Sequence, residues 1–593
     1  MSNQRYGRQP RGLFIIICSL LFSVALTSCD DFLDRPTEDS YNTDNFYQTT
    51  DQCLSSVNYL YNSPWYDFQR GFIKVGEVLS GNYYWGSSPY LNFSVNGSDQ
   101  DLVNMSYSLW AVIGHATTLY NTLAATSVAN KNQCLGECLT WKAMAYFFLV
   151  RSFGDVPIIH NNSSLLASGD YNSLPKVKRS DVYEYIIMTL EQAMEDLKGV
   201  KAPTAGRIDY YSAEALLAKV YLTKAGVSGA ISSSDLAKAA ELAKDVIDNS
   251  GRSLLENYGD VWKLTSNMAS ESLIAWRWTV GSQWTSQNTL QSDLAMEGMD
   301  EFGDDWGGWN GLSVDMQEAF GIKLLENQPD AWINHIDTRL KATMMLPGFS
   351  WDYLWRDHGG LDFLRFLYDE EYNAAATGTL QTPTGANCVK HLYGNTADHV
   401  ADLNIAPARM AYALATHILR LSDVYLIYAE AKLGAGRSTS SDPDVIDAFY
   451  AVRHRAIPSS TRPTSVSWDD IWKERRLEFA MEGDRWYDYV RVSYYDSKFC
   501  VDELTAQKRN PYWGLNDLYK EYYTTGNWNV DPSKQGYDNS TAAPNVNVLL
   551  RLDSEINKSY FALPMSAEDV LYNPNLGSNV EGIHVNVREE YSY

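Results

Sequence analysis

Four carboxylates stand close together at Asp300, Glu301, Asp304 and Asp305, in a glycine-rich segment that also carries Trp306 and Trp309. Three chemistries use such a set. Two carboxyls about 5–10 Å apart can flank a glycosidic bond as acid and base or nucleophile. Clustered loop oxygens can hold calcium. Carboxylates can also sit in solvent or accept hydrogen bonds from sugar hydroxyls. The spacing fits no calcium-loop template, so the four are weak calcium candidates and the last reading leads. A second set, Glu474, Glu478 and Glu482, recurs every four residues, and Glu482–Arg485 and Arg485–Asp488 are three apart. General acid–base work is conceivable there, but alternating charge on a helix reads as an ion-pair lattice.

The aromatic content offers another chemistry. The chain holds 40 Tyr and 18 Trp among 593 residues. An indole or phenol plane covers the flat C–H face of a sugar, while Asn, Asp and Arg satisfy its hydroxyls. Candidate contacts are Asn82, Tyr83 and Trp85 in one loop, then Trp284, Trp306, Trp309 and Asn310, then Trp351, Tyr353 and Trp355. The alternation of the last three would put them on one strand face. For any single ring a core plug is the commoner fate, but Gly- and Ser-rich surroundings favour exposure for Trp85, Trp306 and Trp309. No His-Glu-x-x-His, phosphate-loop or Gly-x-Ser-x-Gly pattern is present, and the nine histidines are scattered. Neither a cofactor nor a catalytic residue is expected.

These residues need a scaffold and a location. Arg5, Arg8 and Arg11 precede an apolar run from Leu13 to Ala25, which is too short to span a bilayer but suits a secretory leader. Leu26-Thr27-Ser28-Cys29 then reads as a lipoprotein cleavage site, with residues 1–28 removed, Cys29 lipidated and residues 29–50 a tether. The net charge of −25 deepens by three when the leader's arginines leave. That excludes a nucleic-acid footprint and suits a solvated surface protein. Cys53, Cys134, Cys138, Cys388 and Cys500 read as buried or free thiols, not a disulfide framework.

Apolar spacing predicts helices over Thr49–Tyr61, Leu102–Leu123, Leu135–Phe153 (apolar nearly all round at its end), Asp181–Leu197 capped by Ser180, Ala213–Lys224 capped by Ser212, and Asp235–Asp248. This is the layout of degenerate tetratricopeptide-like hairpins. A strand is expected over Ser272–Trp278, then an irregular stretch to about Asn404. Helices return over Arg409–Leu433, Asp444–Arg455 and Trp468–Met481, followed by a loop-rich tail after Val492.

Several stretches resemble, in order, the motifs of the SusD/RagB family, the nutrient-binding surface lipoproteins of Bacteroidetes. They are Gly136-Glu137 with residues 141–150 and Gly154-Asp155-Val156-Pro157; Gly206-Arg207-Ile208 with residues 215–222; residues 420–431; residues 474–488, the strongest; and Leu563-Pro564-Met565 with Asn573-Pro574-Asn575-Leu576. Ser422-Asp423 replaces the usual Ala-Glu, and Asp484 a common His. The resemblance implies a mainly α fold, with a tetratricopeptide-like scaffold in residues 51–270 and a C-terminal part, 271–593, carrying an irregular ligand-binding insert near 279–404. It also implies ligand aromatics from an N-terminal loop and from the insert. The implied role is glycan capture without catalysis at the cell outer membrane, lipid-anchored and surface-exposed, with delivery to a SusC-like TonB-dependent barrel over which the protein sits as a lid. A peptide or other nutrient on the same scaffold is the alternative, and an acidic glycosidase a more distant one. Cys29→Ser should move the protein from the membrane to the soluble fraction, as read by fractionation and by loss of labelled fatty-acid incorporation.

Overall fold

The computed structural model describes residues 46–281, 283–300, 305–538 and 561–593; Cys29, the leader, Glu301 and Asp304 lie outside the described residues. Helices Gln100–Ala124, Lys131–Phe153, Arg179–Leu197, Tyr210–Lys224 and Ser233–Asn249 each pack on the next, and Ser233–Asn249 packs in turn on Leu421–Leu433 and that on Pro443–Ala456. Helix Lys131–Phe153 is the axis, buried at every position from Gln133 onward. Its neighbour comes unusually close at Gly136, where a Cβ would stand 2.4 Å from Leu197 Cγ and 2.9 Å from the Ala193 carbonyl. One continuous apolar core runs from Cys53 to Val587. The five cysteines are buried free thiols.

Several local expectations change. Ser180 and Ser212 are not caps, because both helices start earlier, at Arg179 and Tyr210. Asp155 accepts from the Arg179 amide (2.9 Å) and Asp209 from the Ser212 amide (2.9 Å). A carboxylate there also meets the positive end of the helix dipole. The expected helix from Arg409 begins only at Leu421. Residues Thr416–Arg420 instead form a strand antiparallel to Ser272–Trp276, in which Thr416 lies opposite Trp276 and Leu419 opposite Ile274. The tail is also more regular than its composition suggests. Helix Arg485–Ala506 runs through Val492 with a break at Asp496, and Leu515–Thr525 follows. Pro511 and Pro532 fall between elements. The insert is built as expected from short pieces. Its helices, such as Val314–Ala319 and Thr396–Leu403, are eight residues or fewer, and its strands pair two residues at a time.

Glu474, Glu478 and Glu482 are structural, held in a buried ion lattice. Arg420 reaches Glu271 (2.6 Å), Glu478 (3.1 Å) and Glu482 (2.8 Å). Arg339 reaches Glu474 (2.7 Å) and Glu478 (3.3 Å), Arg455 bridges Glu271 and Glu478, and Lys390 meets Glu482 at 3.0 Å. Arg485 lies 3.9 Å from Asp488. Burial alone would push the Glu478 carboxyl up, but Arg455, Arg420 and Arg339 hold it at about 2. Its contribution to stability is therefore complete above its ordinary value of 4.5 and lost as pH falls toward 2. Glu478→Gln should destabilise the fold by about 3–5 kcal/mol at neutral pH, since it leaves buried arginines uncompensated. It should also flatten the loss of stability between pH 4.5 and 2, as measured by urea unfolding across that range.

Candidate functional site

The site grows from one helical spine. Residues Ser63–Phe68 form a 3₁₀ turn, Gln69–Ile73 an α-helical turn and Lys74–Val78 a π turn. Phe68, Phe72, Ile73, Val75 and Val78 point into the core. Tyr66, Arg70 and Lys74, four residues apart, share the other face, about 6 Å from one to the next at helical rise. The spine is seated by its own glycine: a Cβ on Gly76 would stand 2.3 Å from Gly483 Cα, and the buried Glu77 carboxylate accepts from the Gly483 amide at 2.7 Å.

Tyr66 and Lys74 meet aromatic rings directly, and Arg70 meets one through Asp293. The Trp284 indole donates to the Tyr66 hydroxyl at 2.6 Å. Arg70 Nε donates to Asp293 Oδ2 at 3.0 Å, while the Trp306 indole donates to Asp293 Oδ1 at 2.9 Å. Lys74 Nζ, also bonded to Asp101, lies 4.7 Å above the Trp85 ring. Burial pulls the Arg70 pKa down, but Asp293 outweighs it and raises the net value. Burial likewise raises Tyr66, so both side chains keep their protons at neutral pH. Neither Nη of Arg70 donates to a described residue, and half of the side chain is exposed.

The insert supplies the other wall through Trp306-Gly307-Gly308-Trp309. A Cβ on Gly307 would stand 2.1 Å from the Asp293 carbonyl, and one on Gly308 2.6 Å from Met296 Cα. The two glycines thus lie flat on helix Leu290–Leu294 and the turn after it, and both flanking indoles are turned outward. Trp284, Trp306 and Trp309 are 46%, 38% and 48% exposed; the fourth exposed tryptophan among the described residues, Trp513, lies in a separate strand pair with Gly536–Tyr537. Asn310 accepts from the Gly86 amide at 3.3 Å, and Tyr83–Tyr84 pairs with Gly311–Leu312, which locks the two zones together.

Trp85, Trp284, Trp306, Trp309 and Asn310 are thereby gathered, with Trp85 half-buried. Other candidates are not available to a ligand. Tyr83 is wholly buried, and Asn82, also wholly buried, is held by Glu77 and Arg476. Trp351 and Trp355 are buried, their indoles donating to the Lys341 and Met299 carbonyls. They do not share a strand face with Tyr353: the strand ends at Trp351, and Trp355 has φ +56°. Tyr353 is partly covered and lies 4.7 Å from Lys263 Nζ. Asp305 is buried and accepts from the Asp300 amide at 2.9 Å, and among the described residues no three His, Cys, Asp or Glu side chains converge to hold a metal ion. Tyr66, Arg70, Lys74 and Asp293 were not among the sequence candidates. The only sequence signal for the first three is their spacing of four residues, and Asp67, Gln69 and Glu77 in the same stretch obscure it.

The SusD family profile matches residues 282–582, and a profile described as "Starch-binding associating with outer membrane" matches residues 31–222. A SusD-like protein of Bacteroides ovatus is 32% identical over 81% of this chain and 81% of its own length. SusD-like protein P2 of Formosa agariphila is 24% identical, covering 83% and 93%. A crystal structure with a xylogluco-oligosaccharide superposes with a TM-score of 0.74 at 28% identity, covering 90% of this chain and all of that one. A laminarin-binding SusD-like protein gives 0.56 at 23%, covering 77% and 94%, which is a likeness of fold. Gly307→Ala should lift the Trp306–Trp309 segment off its floor, because no space exists for a Cβ. A loss of about 1–3 kcal/mol in stability, with altered near-ultraviolet tryptophan dichroism, would register the change.

Proposed function

The chain belongs to the SusD family, and from that premise we propose that it captures an oligosaccharide or polysaccharide at the outer-membrane surface. The observation that carries this is the set of three exposed tryptophans, Trp284 tied by Tyr66, Trp306 by Asp293 and Trp309 carried on the same Gly-Gly turn as Trp306, beside the Nη atoms of Arg70, which donate to no described residue. Exposed rings cost solvation, and pinning them in advance reduces the entropy lost when a sugar chain lies across them. The spine repeats its anchoring side chains at even intervals, which suits a ligand that is itself a repeating chain. Its open, two-walled form suits binding rather than enclosure of a reacting bond. The structure with a xylogluco-oligosaccharide supports glycan as the ligand class.

In this reading residues 51–270 supply the scaffold and the spine, and residues 271–593 the Trp-Gly-Gly-Trp wall. Lipid on Cys29 and the tether of residues 29–50 keep the protein within reach of a SusC-like TonB-dependent barrel that receives the captured glycan. The protein itself performs no catalysis and requires no cofactor. Isothermal titration against a panel of neutral polysaccharides and their oligosaccharides tests the central claim. At least one glycan should bind, and Trp306→Ala should weaken it by about 1–3 kcal/mol, roughly 5- to 150-fold, with an unchanged unfolding midpoint. Failure of the whole panel to bind the native protein would remove the glycan reading.

A further inference from the structure

A separate cavity of about 690 Å³ lies between residues 198–211, the turn Ser250–Arg252 and residues 268–270. Its rim carries Lys198, Lys201, Arg207 and Arg252 against one carboxylate, Asp209, in a chain of net charge −25. Arg207 is taken up by Glu137 (2.7 Å) and Arg252 by Asp209 (2.8 Å), and Lys198 stands 3.8 Å from Glu195 in an exposed pair. Lys201 makes no hydrogen bond or ion pair with a described residue.

Gly206 and Met268 line this cavity, and the Arg277 guanidinium lies directly behind them. A Cβ on Gly206 would stand 3.2 Å from Arg277 Cζ, 3.3 Å from its Nη2 and 2.4 Å from Met268 Sδ. The absent side chain leaves the guanidinium close behind the cavity wall, which the 54%-exposed Met268 covers at the same point. Arg277 Nε, Nη1 and Nη2 are all buried, and none has a hydrogen-bond partner. Burial lowers the Arg277 pKa to about 10, which still leaves it charged. Its main chain cannot withdraw: the amide donates to the Tyr61 carbonyl (2.8 Å) and its own carbonyl accepts from Asn62 (3.0 Å). A fixed, buried, unpaired guanidinium is among the costliest features a fold can carry.

We infer that this cavity is an oxyanion site, in which Arg277 receives a carboxylate, sulfate or phosphate group two-pronged at its Nη edge. Met268, unbranched and flexible, turns aside to admit it. Lys201 adds charge from the rim. The planar guanidinium matches the paired oxygens of such a group, and the cavity has room for the small molecule that bears it. The site uses none of the residues of the tryptophan row, so it stands or falls independently of the glycan proposal.

Calorimetric titration of the full-length protein at constant ionic strength tests this, with inorganic sulfate, inorganic phosphate, acetate and glucuronate as probes and glucose as the uncharged control. Saturable binding of at least one anion, and none of glucose, is expected. Arg277→Met should weaken it by at least about tenfold, with an unfolding midpoint in anion-free buffer no lower than the native one. Lys201→Ala, an exposed change that leaves folding intact, should weaken it by roughly two- to fivefold. Glucuronate binding more tightly than acetate would identify an acidic sugar as the ligand, and phosphate or sulfate binding more tightly than either a phosphate or sulfate ester. Absence of saturable anion binding by the native protein, or anion binding unchanged in Lys201→Ala and Arg277→Met, overturns the inference.

Discussion

Arg420 is the residue on which most of the architecture converges. It ends the strand Thr416–Arg420, and its guanidinium meets Glu271, Glu478 and Glu482, which come from two distant segments. Glu271 leads into the partner strand, so the charge contact and the strand register enforce one another. Glu478 ends helix Trp468–Glu478, and through it and its neighbours Arg339, Arg455 and Lys390 are drawn in. Charges taken out of water are costly unless matched, and breaking one partner of such a set leaves the others uncompensated. The lattice therefore forms as a whole or not at all. It fastens the insert, which has little regular structure of its own, to a helical scaffold held by ordinary apolar packing.

The tryptophan row depends on that fastening. Rings that stand out from a surface are useful only if their orientation is set beforehand. The spine is seated against Gly483, just beyond the lattice carboxylate Glu482, and the Trp-Gly-Gly-Trp wall lies on backbone that admits no side chain. The indole N–H groups of Trp284 and Trp306 are tied while both rings remain exposed. Asp293 serves both walls at once, accepting from Arg70 on the spine and from Trp306 on the insert.

Much of this was legible from residue types. Trp306 and Trp309 announce themselves by the two glycines between them, because burial is hard to arrange around so little side chain. Glu474, Glu478 and Glu482 reveal a lattice by their period. Trp351, Tyr353 and Trp355 misled because alternation implies a strand only where a partner exists, and past Trp351 the chain turns instead. Asn82 and Tyr83 misled because a loop rich in Gly and Ser can still be covered: Glu77, Arg476 and the insert close over them. Arg409–Leu433 reads as a single helix because the strand that captures residues 416–420 lies some 140 positions earlier, out of reach of any local pattern.

The sequence by itself determined the family, the helical scaffold, the acidic surface and the two zones that bear the ligand candidates. All of these follow from local composition, helical period and motif order, which survive without knowledge of contacts. Only the tertiary structure decided which aromatics face solvent, that Tyr66, Arg70 and Lys74 anchor them, and that Arg277 stands unpaired behind Gly206. Exposure and pairing are properties of two surfaces meeting. A residue carries no mark of the partner that will cover it, or of the partner that will be missing.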